Sequence, residues 1–150
     1  MFGTDRGQLR RYYCEVWRRR QAGETLEALE ALIAHAIEQH PEYQSLLTDP
    51  ERAIGGEWTP EMGQTNPFLH MGMHIAIAEQ VSSDRPGGLR AAYTALCARI
   101  GEVHAAEHAM MEALGEVLWE AQRFGTAPDE ARYLARIRDM AGLPAEEGKP

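Results

Sequence analysis

Two pairs of histidines have the spacing best suited to chemistry in this sequence. His70 and His74 are four residues apart, and so are His104 and His108. On an α-helix, residues at positions i and i+4 project from adjacent turns of one face, so two imidazoles can bind the same metal ion. Each pair therefore predicts half of a metal site, provided that its segment is helical.

A carboxylate, Glu107, lies between the two histidines of the second pair. On a helical wheel of about 100° per residue, several apolar side chains fall within about 40° of Glu107. They are Ile100, Val103, Met111, Leu114, Leu118 and Ala121. A carboxylate at the centre of an apolar stripe is strongly destabilised by desolvation unless it is protonated, paired or bound to a metal. Since His104 and His108 lie on the shoulder of that stripe, we expect all three groups to face one side of the helix.

The order of the helices predicts that the two histidine pairs lie at the same end of a bundle. The helix that begins near Pro67 and the helix that begins near Val103 are separated by one helix with short connections. In an up-down-up arrangement the first and third helices are parallel, so the early turns of both meet at one end. The helix that precedes Pro41 runs the opposite way and would bring Glu38 or His40 to that end.

These observations predict one transition-metal ion bound by five side chains, namely His70, His74, His104, Glu107 and His108. Imidazole and carboxylate ligands suit zinc, iron, manganese, nickel or copper better than calcium or magnesium. The sequence does not distinguish among the five transition metals or name a reaction, so an enzymatic role stays open. Dinuclear carboxylate bundles use Glu-x-x-His motifs, which these helices lack. The alternative is a structural or protein-interaction module in which the same groups form a buried hydrogen-bond network.

Hydrophobic periodicity predicts an all-α protein, a bundle of about five to six helices. Helices are expected at about residues 5–21, 25–40, 68–81, 86–99, 103–124 and 128–140. One long irregular loop is expected at about residues 41–66, with room for a short helical turn at 43–47, because prolines and glycines interrupt it. Asn66 and Pro67 are typical of a helix start. We expect residues 1–142 to form a single domain and residues 143–150 a disordered tail.

Composition and charge restrict the classes of function. The net charge of the 150-residue chain is -8, which opposes binding to nucleic-acid phosphates. The longest apolar stretch, residues 68–78, is far shorter than the roughly 20 residues that span a bilayer. The N-terminus lacks an apolar signal core, and Cys14 and Cys97 match no CxxC spacing, so we expect reduced thiols in a cytoplasmic protein.

The N-terminal segment is basic in an otherwise acidic chain. Its arginines are Arg6, Arg10, Arg11, Arg18, Arg19 and Arg20. We interpret this segment as a solvated basic helix that pairs with acidic residues of the rest of the chain. A docking surface for an acidic protein partner is the alternative interpretation, and association of the chain with itself also stays open.

Three stretches resemble one protein family. DRGQLRRYY, EMGQTNPFLHMGMH and HAAEHAMMEALGEVLWEAQR are similar to the bacterial domain-of-unknown-function family 1841, over about residues 2–140. The resemblance implies a compact bacterial helical protein, and the similar stretches include both histidine pairs. It implies no activity, so any function must be argued from the site itself.

Overall fold

The computed structural model describes residues 6–58 and 66–144, which are helical and contain no strand. The eight helices of these ranges are α1 (Arg6–Gln21), α2 (Ala28–Glu38), α3 (Pro41–Leu47), α4 (Pro50–Gly55), α5 (Pro67–Ser83), α6 (Leu89–Ile100), α7 (Val103–Phe124) and α8 (Glu130–Met140). The prediction of an all-α protein is confirmed. Among the described residues, no helix combines the length and the apolar character needed to cross a membrane.

The predicted number of five to six helices is too low, and the error lies in the segment predicted as a long loop. Two short helices, α3 and α4, occupy most of residues 41–55, and each begins with a proline, Pro41 or Pro50. The fixed φ of proline suits the first helical position, where its missing N–H is not needed. Asp49 then caps α4 by accepting a hydrogen bond from the backbone N–H of Arg52 at 3.3 Å. These prolines therefore mark helix starts, and residues 59–65 of the predicted loop lie outside the described residues.

The helices that carry the histidine pairs begin where the sequence predicts. The Asn66 side chain accepts a hydrogen bond from the backbone N–H of Phe68 at 2.9 Å, so it caps α5 as expected. The helix α7 spans the predicted residues and ends at Gly125, whose φ of 64° lies in the left-handed region that glycine adopts readily. Both starts are capped locally, and the start of α5 could be predicted from a short capping motif.

The chain divides into two compact units, Met1–Ile75 and Ala76–Pro150, and the boundary falls within α5. The first unit contains α1 to α4 and the beginning of α5, and the second contains the rest of α5 and α6 to α8. The prediction of a single domain over residues 1–142 stays a prediction. In the predicted tail, residues 145–150 lie outside the described residues.

The first unit has its core between α1 and the helices that contact it, α2, α3 and α4. A buried arginine, Arg10, joins these elements to the start of α5. Its Nη1 donates to three carbonyl oxygens at the end of α4, those of Ala53, Ile54 and Gly56. The same guanidinium lies 5.1 Å from the ring centroid of Trp58 and 5.0 Å from that of Phe68. Because carbonyls at a helix C-terminus carry partial negative charge, they stabilise this buried cation.

The second unit contains the end of α5 and the helices α6, α7 and α8, and these three contact one another in all three pairs. The buried face of α7 consists of Ala106, Met110, Ala113, Leu114, Val117 and Ala121. Val103 and Leu118 are exposed, and Glu107 is only partly buried, so the prediction that Glu107 lies at the centre of the apolar stripe is wrong. The helical wheel placed the buried face where the large apolar residues are. The observed face is displaced from it because it includes three alanines, whose small side chains allow neighbouring helices to approach closely.

Candidate metal centre

The first histidine pair lies in the opening turns of α5. The backbone N–H of His70 donates to the carbonyl of Asn66 at 3.1 Å, which places His70 in the first turn. The Nε2 atoms of His70 and His74 are 3.3 Å apart, and their ring centroids are 4.9 Å apart. The two imidazoles therefore direct the same ring nitrogen toward a common point, as the i, i+4 spacing predicts.

A third imidazole, that of His40, lies against the first pair. His40 follows α2 and occupies the N-cap position of α3. Its ring centroid is 5.0 Å from that of His70 and 4.8 Å from that of His74. His40 and His74 are buried, with 2% and 3% of their surface exposed, and His70 is partly buried. We refer to His40, His70 and His74 as the three-histidine cluster.

The orientation of the His40 ring is fixed by a backbone carbonyl. Its Nδ1 lies 2.7 Å from the carbonyl oxygen of Ala36, one turn earlier in the chain. A carbonyl oxygen can only accept, so Nδ1 carries the hydrogen, and the neutral ring presents its lone pair at Nε2. Histidines that bind metals commonly have this arrangement, in which one ring nitrogen donates to a carbonyl while the other binds the ion.

The spacing of His70 and His74 within the cluster matches the size of a small metal ion. Two nitrogens at about 2.0–2.1 Å from a tetrahedral zinc ion are separated by about 3.3–3.4 Å. The Nε2 atoms of His70 and His74 are at this separation. The ligand nitrogens of His40 and His74 lie within 4.8 Å of each other. A shift of at most about 1.5 Å would bring them to the tetrahedral separation.

Tyr43, in α3, covers part of the cluster. Its ring is stacked on that of His40, with centroids 5.4 Å apart and planes 10° apart. The edge-on contact with His70 has a centroid distance of 6.3 Å. Burial raises the pKa of Tyr43, and the charge of Glu42 raises it further. The phenol is therefore neutral near pH 7 and contributes no negative charge to the cluster.

The second histidine pair lies in the opening turns of α7, in the second unit. The rings of His104 and His108 meet edge to face with centroids 4.4 Å apart. Glu102 caps this helix and accepts a hydrogen bond from the backbone N–H of His104 at 3.0 Å. His104 is partly buried and His108 is exposed. The second pair therefore has the same local geometry as the first, with greater exposure.

Glu107 contacts α6 through a hydrogen bond. The phenol of Tyr93 donates to Oε2 of Glu107 at 3.1 Å. Burial raises the pKa of Tyr93, and the charge of Glu107 and the neighbouring Cys97 raise it further. The protonated phenol is thus the stable form beside the carboxylate. That Glu107 binds a metal, and that the two histidine pairs share one ion, stay predictions.

Comparison with protein families gives one match. The family described as Domain of unknown function (DUF1841) matches residues 5–139. The chain belongs to this family. The matched residues include all five predicted ligands and the three-histidine cluster of this DUF1841 chain. Comparisons with curated proteins and with solved structures found no match.

The basic helix of the DUF1841 chain pairs with carboxylates of its own unit. Arg19 contacts Glu30 at 2.7 Å, and Glu30 is buried. Arg20 contacts Glu38 at 3.1 Å, and both side chains are largely exposed. Arg18 pairs with Glu15 and Glu24. The interpretation of α1 as a solvated basic helix that pairs with acidic residues is confirmed for Arg18, Arg19 and Arg20 and is wrong for the buried Arg10. Docking of an acidic partner stays a prediction.

Two residues that contact the first histidine pair in the DUF1841 chain, His40 and Tyr43, lie outside the predicted ligand set. His40 had a signal, because the break before Pro41 ends α2 at the expected end of the bundle. Tyr43 had none, since a single aromatic residue in a short predicted turn does not indicate contact with histidines. Cys14 and Cys97 are free thiols, and burial raises the pKa of both, so neither is activated as a nucleophile.

Proposed function

We propose that this DUF1841 protein binds one transition-metal ion through the three-histidine cluster. The observation that carries the proposal is the 3.3 Å separation of the Nε2 atoms of His70 and His74. His40 supports it, because the bond from Nδ1 to the Ala36 carbonyl leaves Nε2 as its ligand nitrogen. The three histidines come from two elements of one unit, the α2–α3 junction and α5, so that folding of this unit assembles the ligands.

A metal ion satisfies the close nitrogen pair better than a hydrogen bond does. In a hydrogen bond between two neutral imidazoles, one Nε2 donates a proton and only the other uses its lone pair. A metal ion accepts both lone pairs at once, and the free energy of binding stabilises the folded protein. The low polarity around buried His74 increases the electrostatic part of that gain.

The ligand chemistry favours particular ions. Imidazole nitrogens suit zinc, copper, nickel and iron, whereas calcium and magnesium require oxygen ligands. Three imidazoles would leave at least one coordination position for water or a further side chain, as in catalytic zinc sites. The sequence also predicts that His104, Glu107 and His108 bind the same ion, and this is a separate proposal. No reaction is proposed.

The test is a metal titration of the full chain, produced without a histidine tag and stripped of metal. Calorimetry with Zn²⁺ and Co²⁺ is expected to show about one equivalent, and saturating Zn²⁺ at 100 times Kd should stabilise the protein by about 2.7 kcal/mol. His74→Gln and His40→Gln should each weaken binding at least tenfold. The matched control is His35→Gln, since His35 is an exposed histidine of α2. Absence of binding, or equal losses in the control, would refute the proposal.

A structural hydrogen-bond network is the second candidate, and the existing contacts favour it as well. His40 already bonds to Ala36, and His74 is within hydrogen-bond distance of His70. If the cluster is purely structural, His74→Gln destabilises the metal-free protein while the wild type gains no stability from any metal. Thermal melts with and without Zn²⁺ therefore separate the two candidates.

A further inference from the structure

Tyr43 contacts the three-histidine cluster from both elements that build it. Its ring is stacked on His40 of the α2–α3 junction and meets His70 of α5 edge-on. A backbone hydrogen bond from the N–H of Tyr43 to the carbonyl of His40, at 2.9 Å, holds the two residues in one turn. Tyr43 is thus attached to one proposed ligand by backbone and side chain, and it borders a second.

The stack supplies a constraint that the carbonyl bond alone does not. The bond between Nδ1 of His40 and the Ala36 carbonyl, at 2.7 Å, fixes the position of one ring atom. The ring can still pivot about that atom, which changes where Nε2 points. A nearly parallel aromatic ring at a centroid distance of 5.4 Å restricts this pivot, because turning the imidazole gives up the favourable contact between the two rings.

We propose that Tyr43 is a positioning residue of the metal site, and that its ring holds His40 with Nε2 directed toward His70 and His74. The inference rests on the proposed function for its effect on metal binding. Its effect on the His40 ring is independent of any metal. The aromatic ring is the active feature, so phenylalanine should replace tyrosine at this position and an aliphatic residue should not.

The experiment compares Tyr43→Leu and Tyr43→Phe with wild type in the full chain. Tyr12→Leu is the matched control, because Tyr12 is also a partly buried tyrosine packed against the core of the first unit. Zn²⁺ affinity should fall about three- to tenfold in Tyr43→Leu, the range expected for loss of one aromatic pair. It should be unchanged in Tyr43→Phe and in Tyr12→Leu.

The second readout is the orientation of the His40 ring in the metal-free protein, from nuclear Overhauser contacts between this ring and the rings of His70 and His74. Wild type and Tyr43→Phe should show these contacts, and Tyr43→Leu should lose them. Tyr43→Met is a second variant without a ring, so the comparison does not depend on the folding of one protein. Contacts of wild-type strength in these ring-free variants, or the same loss in Tyr12→Leu, would overturn the inference. If wild type binds no Zn²⁺, the proposed function fails, and the ring contacts still decide the role of Tyr43.

Discussion

The Nε2 atoms of His70 and His74 face each other at 3.3 Å on successive turns of α5. This distance is close to the edge of a tetrahedron around an ion with metal–nitrogen bonds of about 2.0–2.1 Å. It is set by helix geometry and by the start of α5, since both residues lie within the first two turns. The arrangement of the pair is therefore fixed by the helix itself.

The sequence-based prediction that His108 binds the same ion can be tested with one substitution. It requires a total of about one equivalent of Zn²⁺ in the wild type and at least tenfold weaker binding in His108→Gln. Glu112→Gln is the control, because Glu112 is an exposed residue of the same helix. Calorimetric titration gives both numbers. Unchanged Zn²⁺ affinity in His108→Gln would contradict the prediction. So would two equivalents of Zn²⁺ in the wild type, of which His108→Gln loses one, because His108 would then bind a different ion.

Arg10 should be essential to the stability of the first unit. Arg10→Met removes the donor of three carbonyl hydrogen bonds and a cation lying over two aromatic rings. We expect the free energy of unfolding to fall by about 2–4 kcal/mol, because hydrogen bonds to a buried charge are strong. Arg11→Met, at the exposed neighbouring arginine, should change it by no more than about 0.5 kcal/mol. Urea denaturation measures both, and similar values for the two variants would refute the role of Arg10.

The cap of α5 should be detectable at the level of single amides. Asn66→Ala removes the side chain that accepts from the backbone N–H of Phe68. The loss should destabilise the helix start by about 1 kcal/mol and accelerate amide hydrogen exchange at Phe68. Ser82→Ala, at the other end of α5, should leave that exchange rate unchanged. Equal exchange rates at Phe68 in the wild type and Asn66→Ala would show that another group caps the helix.

Tyr133 should make the second unit less stable at alkaline pH. Its phenol is buried and donates to Oε1 of Gln80 at 2.6 Å, and burial raises its pKa above the ordinary value of 10.0. The folded state then retains the proton to a higher pH than the unfolded state does. This contribution to stability is complete below pH 10 and is lost as pH rises, with a slope of at most about 1.4 kcal/mol per pH unit. Tyr133→Phe should reduce that slope in urea denaturation series, and parallel profiles would contradict this account.

Local signals explain which parts of the fold could be predicted. The starts of α5 and α7 follow from capping residues, and the end of α7 follows from Gly125. The short helical turn predicted at 43–47 is confirmed as part of α3, whereas α4 was not predicted, because Pro50 suggests a loop when it is interpreted without its neighbours. Helices this short show too few turns for an apolar period to be recognised.

The candidate site was predictable only in its local part. The spacing of four residues places His70 beside His74, and this needs no tertiary information. The contact of His40 with this pair depends on how α2 and α3 pack against α5, which connectivity only suggested. The burial of Glu107 was predicted wrongly, because a helical wheel does not show which face of the helix its neighbours cover.

The most direct test of the metal centre is an anomalous-scattering map from crystals of the tag-free protein loaded with Zn²⁺. The proposal predicts a peak at the zinc absorption edge about 2.0–2.1 Å from Nε2 of His40, His70 and His74. A zinc-saturated crystal with no peak at these three nitrogens, or with its peak elsewhere, would contradict it.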